Sequence, residues 1–372
     1  MSILPKDVQN IEELEATVAR NAAQLKPHEL RWRDKQQFLE KHGYILRPRL
    51  RPGWVPSWTI NGKTPDLQED FYALPPRYNL VDATHISDGR PVYIKRVETG
   101  KEEIEIASYF CQPPRNDDPR NHCVPILESF QDDQQSDISY IVMPFLRSID
   151  DPPFYFVRDV VDCVDQLLEG LVFVHEHHVA HRDCSPRNLM MDASGMFPRG
   201  HHPYLQHMLA DMSGNAPFVP RPAARPPVKY FYVDFGISSK FQPDEDSRLV
   251  LGTLGRDQDV PELSDSTPYD PFKVDVFLIG NVLRKEMHDK YKNVGFLLPL
   301  IKQMTQRSPR DRPTAVQSLE AWRKVRNSIW FTARRVHEYD ESLTESIVSD
   351  VHGFFEIISV LSQRLFRKPR RA

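Results

Sequence analysis

Apolar positions recur along this chain in two textures. Residues 11–42 are charged and helix-favouring, with Ile11, Leu14, Val18 and Leu25 spaced along one helical face. Residues 47–76 carry Pro52, Pro56, Pro65, Pro75 and Pro76 without a period and read as an irregular connection. Ser87, Asp88, Gly89 and Arg90 then give a turn signal, and 91–97 alternates as a strand, so a hairpin is expected. A helix is predicted over 100–110 and strands over 125–130 and 138–143. From 154 to 179 the period becomes helical, with Val160, Val161, Val164, Leu167, Leu168, Leu171 and Val174 on a wide apolar face. Leu189, Met190 and Met191 read as a short strand, and 192–228 has no period, as expected of an inserted loop. Helical patterns return at 275–290, 294–304, 314–325 and 349–366, the last followed by the basic run 367–371. A small strand-rich part thus precedes a larger helical part, an α+β pattern with two lobes.

Composition narrows the class. The 372 residues hold 48 basic and 52 acidic side chains, a net charge of −4 that offers no overall field for nucleic acid. No apolar run approaches the roughly 20 residues that span a bilayer, so no transmembrane segment is expected. Residues 1–10 lack the basic-then-apolar order of a signal peptide. Cys111, Cys123, Cys163 and Cys184 form no CxxC pair and no zinc spacing. A reduced, globular, intracellular protein, cytoplasmic or nuclear, is the expectation.

The most informative string is His181-Arg-Asp-Cys-Ser-Pro-Arg-Asn188, after an apolar helix and before a short strand. The second is Tyr232-Val-Asp-Phe-Gly236, an acid at a strand end just before a glycine. They match HRDxxxxN and DFG, and the chain resembles the eukaryotic protein kinases. Further landmarks follow in order: Val92-Tyr-Ile-Lys95, Val260-Pro-Glu262, Asp275-Val-Phe-Leu-Ile-Gly280 and Arg312-Pro-Thr-Ala315. More narrowly, the strings over 82–89 and 255–264 and the long insert before DFG resemble fungal-type kinase-like proteins of mushroom-forming fungi.

The resemblance implies a bilobal protein-kinase-like fold, with a small β-rich N-lobe holding one helix and a larger, mainly helical C-lobe. It divides the chain into an extension (1–76), an N-lobe (77–146), a C-lobe (147–330, insert about 192–228) and a tail (331–372). It also implies ATP and Mg²⁺ as cofactors and a protein substrate, with phosphate transferred to Ser/Thr hydroxyls. Phosphoryl transfer asks for alignment and charge neutralisation rather than covalent work by the protein. Asp183 is then the catalytic base, Asn188 and Asp234 hold Mg²⁺ with hard oxygens, and Lys95 neutralises phosphate oxygens. Glu103 is the candidate partner of that lysine, with Glu102 and Glu105 as alternatives. Met143 guards the adenine pocket beside a hinge at Pro144, Phe145 and Leu146. Arg182 suits a phosphorylated activation loop, since guanidinium binds phosphate in a bidentate fork. The resemblance expects Glu262 and Arg312 to pair.

Two departures matter. Residues 71–86 contain no glycine, so the glycine-rich loop upstream of the strand lysine is missing. Ser185 stands two residues after Asp183, where many serine/threonine kinases have lysine, and Arg187 offers a cation four residues after it. A pseudokinase acting as a scaffold is therefore the second reading, and a small-molecule phosphotransferase the third. His175, His177, His178 and His181 invite a metal reading, but Val179 stands where a zincin motif needs its second histidine.

Overall fold

Proline decides the first element boundary. The structure, a computed structural model, describes residues 4–76, 79–245, 247–329 and 332–339; the expected helix over 349–366 and the basic run after it lie outside these. In place of one helical stretch over 11–42, the chain forms α1 (Leu4–Ala22) and α2 (Pro27–Lys41). Pro27 has no N–H to donate and its ring clashes with a preceding turn, so it opens α2. Glu29 then accepts the Lys26 N–H at 2.8 Å, satisfying one donor that the helix start leaves over. Ile11, Leu14 and Val18 remain exposed on α1.

The chain folds as two units. The first holds the described chain up to Gly100, with Ile126–Phe145 and Phe197–Phe218. Its centre is an antiparallel sheet of β1 (Tyr44–Leu46), β2 (Leu80–His85), β3 (Pro91–Glu98), β4 (Glu128–Gln131) and β5 (Ile138–Pro144), in the order β1-β2-β3-β5-β4. The expected hairpin is β2–β3, its turn closed by Asp88 accepting the Arg90 N–H at 3.0 Å, with Gly89 at φ +70°. Trp32, Phe38 and Leu39 of α2 bury against Leu46, Val81, Ile94, Tyr140 and Val142 of the sheet. The proline-rich connection holds only short pieces, α3 (Ser57–Asn61) and three 3₁₀ turns. Part of the aperiodic insert belongs here too: the Tyr204 hydroxyl donates to Asp82 on β2, and Arg47 stacks 4.7 Å from the Tyr204 ring.

The second unit holds Lys101–Pro125, Leu146–Met196 and the described chain from Val219 on. It begins with α4 (Glu102–Phe110), followed by β6 (Arg147–Ser148) and α5 (Val157–Glu176). Three small antiparallel sheets follow: β7 (Val179–Ala180) with β10 (Ser239–Lys240), β8 (Leu189–Asp192) with both β6 and β9 (Lys229–Tyr232), and β11 (Val250–Gly252) with β12 (Ser264–Tyr269). α6 (Pro271–Leu283), α7 (Leu298–Met304) and α8 (Ala315–Asn327) complete it. α5 buries the predicted face. α6 starts earlier than its apolar pattern because Asp270 caps it, accepting from the Phe272 and Lys273 N–H groups at 2.9 and 3.3 Å. The Trp322 indole of α8 is fully buried and donates to Asp165 of α5 at 2.7 Å. A β-rich unit followed by a helical unit is the two-lobed, kinase-like α+β architecture.

Candidate active site

The His181–Asn188 loop joins β7 to β8, and α6 holds it from below. Asp275, fully buried, accepts the backbone N–H groups of His181 at 2.7 Å and Arg182 at 2.6 Å. A carboxylate that accepts two backbone donors fixes the course of a loop that has no ladder of its own. His175 Nε2 lies 3.0 Å from the same carboxylate, and His177 Nδ1 lies 2.8 Å from the Phe173 carbonyl. His175 in the last turn of α5 and His177 just after it thus serve as hydrogen-bonding side chains. His181 is buried between the Asp183 N–H at Nδ1 (3.3 Å) and the Val233 carbonyl at Nε2 (3.1 Å), which assigns its proton to Nε2. Cys184 is buried 3.7 Å from Asp275, and burial pushes its thiol far above the usual range. It is a packing residue.

Asp183 points its carboxylate between two neighbours. Oδ2 accepts from Asn188 Nδ2 at 2.8 Å, and Oδ1 accepts the Arg256 N–H at 2.9 Å. Asn188 Nδ2 also donates to the Asp183 carbonyl at 3.0 Å, which spends both amide hydrogens and leaves its oxygen for another partner. Burial raises the Asp183 carboxyl above the usual aspartate value and nearby Asp234 adds to this, against the Arg256 contacts. Asp234 follows β9 in a left-handed conformation, φ +67°, and its Oδ1 accepts the Gly236 N–H at 3.4 Å. A Cβ built on Gly236 would lie 3.1 Å from Asp234 Oδ1 and 3.4 Å from Glu103 Oε2. Glycine here lets two carboxylates approach one turn. Of the acids opening α4, Glu102 and Glu105 are exposed and Glu103 is partly buried beside Asp234. Arg187 is exposed on the 3₁₀ turn Pro186–Asn188.

The segment after Asp234 is tied down by Arg182. The Arg182 guanidinium donates to the Ile237 carbonyl and Ser239 Oγ, both at 3.2 Å, to the Leu251 carbonyl at 2.9 Å and to the Tyr269 hydroxyl at 3.4 Å. The resemblance assigns this arginine to a phosphorylated loop; here backbone carbonyls and two hydroxyls take its donors. Glu262 and Arg312 do pair, in a two-pronged contact with Nη2–Oε2 at 2.7 Å, the Arg312 side chain wholly buried. Arg182→Ala removes charge-assisted bonds of about 1.5–3 kcal/mol each. Amide exchange across β10 and β11 is therefore expected to quicken at least about tenfold, with α5 unchanged. Equal exchange in both proteins would count against Arg182 as the tie.

In the first unit, Lys95 sits on β3 between Leu80 and Ile141 and is about nine-tenths buried. Met143 is buried on β5 opposite Tyr93, and Phe145 packs 4.8 Å from the Tyr93 ring and 5.2 Å from His201. Upstream of the lysine strand, β1 and β2 are joined by residues 47–79, where the resemblance expects a short glycine-rich turn. Asp70 orders this connection, accepting from the Trp54 indole at 2.9 Å, the Ser57 N–H at 2.8 Å and the Ser57 hydroxyl at 2.6 Å.

Sequence reasoning gave no role to Asp275 or Arg256, although both lie in strings it singled out. Their signal was position alone, Asp275 opening the DVFxxG landmark and Arg256 lying just before VPE.

No protein-family profile matches the chain. The chain is 28% identical over 127 residues to calcium/calmodulin-dependent protein kinase type IV of Homo sapiens and of Rattus norvegicus, covering 34% of this chain and 20% of theirs. It is 25% identical over 243 residues to a probable myosin light chain kinase of Dictyostelium discoideum, covering 59% of this chain and 51% of that one. The chain thus spans between a fifth and about half of these relatives. These are distant likenesses to eukaryotic protein kinases, in accord with the kinase-like fold. No described helix is long and apolar enough to cross a membrane.

Proposed function

We propose that the chain is a protein kinase that transfers the γ-phosphate of ATP to serine or threonine hydroxyls of proteins. The observation that carries this reading is the grouping of Asp183, Asn188, Asp234 and Glu103 around one loop and one glycine turn. Asp183 takes the proton of the attacking hydroxyl. The acceptor oxygen bonds to the γ-phosphorus as the bond to the β,γ-bridging oxygen breaks, and ADP departs with that electron pair. Lys95, with Glu103, orients the phosphates; Met143 and Phe145 flank the adenine; Arg187 offers a cation to the transferring group.

The donor set fits Mg²⁺ in kind. Asp234 supplies a carboxylate and Asn188 an amide oxygen free of its own N–H bonds, the hard ligands this ion prefers. Asp234 and Asn188 would hold the ion; among the described residues no group of three or more His, Cys, Asp or Glu side chains could hold a metal by itself. The ion would neutralise phosphate charge there. The narrower likeness to fungal-type kinase-like proteins rests on the strings over 82–89 and 255–264 and on the long insert before the DFG string.

One observation favours a second reading, a pseudokinase that binds without turnover: no glycine lies in 71–86, and 47–79 stands where a phosphate-covering turn would be. Purified protein with Mg·ATP and a mixed Ser/Thr peptide pool is expected to incorporate phosphate, and ATP with Mg²⁺ to raise the melting temperature. A protein that neither transfers phosphate nor registers nucleotide supports the scaffold. The pH profile is a further check. The base works ionised, and burial raises its pKa, so kcat/KM climbs with pH through a limb above the ordinary aspartate value of about 3.9. A limb at or below that value contradicts Asp183 as the base.

A further inference from the structure

Arg256 stands beside the carboxylate assigned as base. Its backbone N–H donates to Asp183 Oδ1 at 2.9 Å, its Nε lies 3.8 Å from Oδ2, and its side chain is 50% exposed. Gly255 permits the approach: its φ is +122°, and a Cβ there would come within 3.3 Å of the Arg182 carbonyl. The acids that follow do not neutralise Arg256. Asp257 accepts from Asn281 Nδ2 at 3.0 Å and pairs with Lys285 Nζ at 3.1 Å. Asp259 pairs with Lys285 at 2.8 Å and with Arg284 at 3.4 Å. Among the described residues Asp183 is the one carboxylate paired with Arg256, and no side chain or carbonyl takes its two terminal nitrogens.

We propose that Arg256 selects substrates carrying Asp or Glu within one to three residues of the acceptor hydroxyl. This rests on the phosphoryl-transfer reading of Asp183. An acceptor oxygen that gives its proton to Asp183 must come within hydrogen-bond distance of that carboxylate. Arg256 reaches the same carboxylate, and an extended peptide advances about 3.3 Å per residue, so the guanidinium meets the nearest few positions. Its planar fork matches a carboxylate with two parallel bonds, and a lysine there meets like charge.

The test uses the full chain and two peptides with a single serine, identical except for Glu or Lys at the three residues on either side. Phosphate incorporation gives kcat/KM with Mg·ATP, and fluorescence anisotropy without nucleotide gives peptide affinity. The wild type is expected to favour the Glu peptide at least about tenfold, through KM more than kcat. Arg256→Glu is expected to reverse the preference and Arg256→Gln to abolish it, the latter also serving if the charge-reversed chain fails to fold. Equal or better use of the Lys peptide by the wild type, or a preference that neither variant changes, overturns the assignment. If neither peptide is phosphorylated, the kinase reading fails and anisotropy alone judges Arg256: tighter Glu-peptide binding that the variants lose supports it, and equal binding overturns it.

Discussion

Asp183→Asn is expected to lower kcat for peptide phosphorylation by about 10²–10⁴-fold, the usual contribution of a positioned general base. The change is nearly isosteric. The new amide oxygen can still accept from Arg256 N–H or Asn188 Nδ2, which now reach Asp183 at 2.9 and 2.8 Å. Asp275 continues to hold the loop through the His181 and Arg182 N–H groups. Peptide affinity and melting temperature are therefore expected to stay close to wild type while turnover falls, which separates loss of chemistry from loss of fold. Initial rates under saturating Mg·ATP, with melting curves of both proteins, make the measurement. Equal turnover by the two proteins removes Asp183 from the reaction.

The largest effect on stability is expected from Glu29→Ala. Glu29 and Arg49 form an ion pair with both side chains fully buried. Glu29 accepts from Arg49 Nε at 2.7 Å and Nη2 at 3.0 Å, from the Leu74 N–H at 3.1 Å and from the Lys26 N–H at 2.8 Å. Removing it strands a buried guanidinium, and breaking such a pair from one side costs about 3–5 kcal/mol. Trp32, Trp54 and Trp58 lie in the same unit, so tryptophan fluorescence during urea unfolding follows the event. Glu29→Ala combined with Arg49→Met should cost less than the sum of the single changes. A loss below about 1 kcal/mol for Glu29→Ala would contradict the account. Burial alone would raise the Glu29 pKa, but its bonds to Arg49 and two backbone N–H groups outweigh this and hold it below the usual value. A group depressed in the folded state stabilises above its unfolded pKa, about 4.3, and that contribution fades as pH falls through the lowered value.

Several elements were legible because their signals are local. The β2–β3 hairpin has Asp88 and Gly89 at its turn, and α5 has a continuous apolar face. Other elements escaped for a physical reason. β1, β10 and β11 are two or three residues long, too short for a period to show, and each exists only because a distant strand pairs with it. The helix break at Pro27 was written in the chain, yet the charged texture on both sides masked it. The insert gave no periodic signal, and Tyr204 joins the first unit through its hydroxyl bond to Asp82, the Arg47 guanidinium over its ring and packing against the core.

The site divides along the same line. Residue types and their order, with Asp183, Asn188, Asp234, Glu262 and Arg312 following one another as the resemblance expects, were determined by the sequence, and so was the α+β class. Tertiary structure decided which groups meet. Gly236 admits Glu103 rather than its neighbours to the turn at Asp234, Arg182 gives its donors to carbonyls, and Arg256 reaches Asp183 across 73 residues of chain. Spacing along a chain reports local periodicity, whereas these contacts depend on backbone direction at a few left-handed residues and on buried carboxylates such as Asp275, which only the folded chain positions.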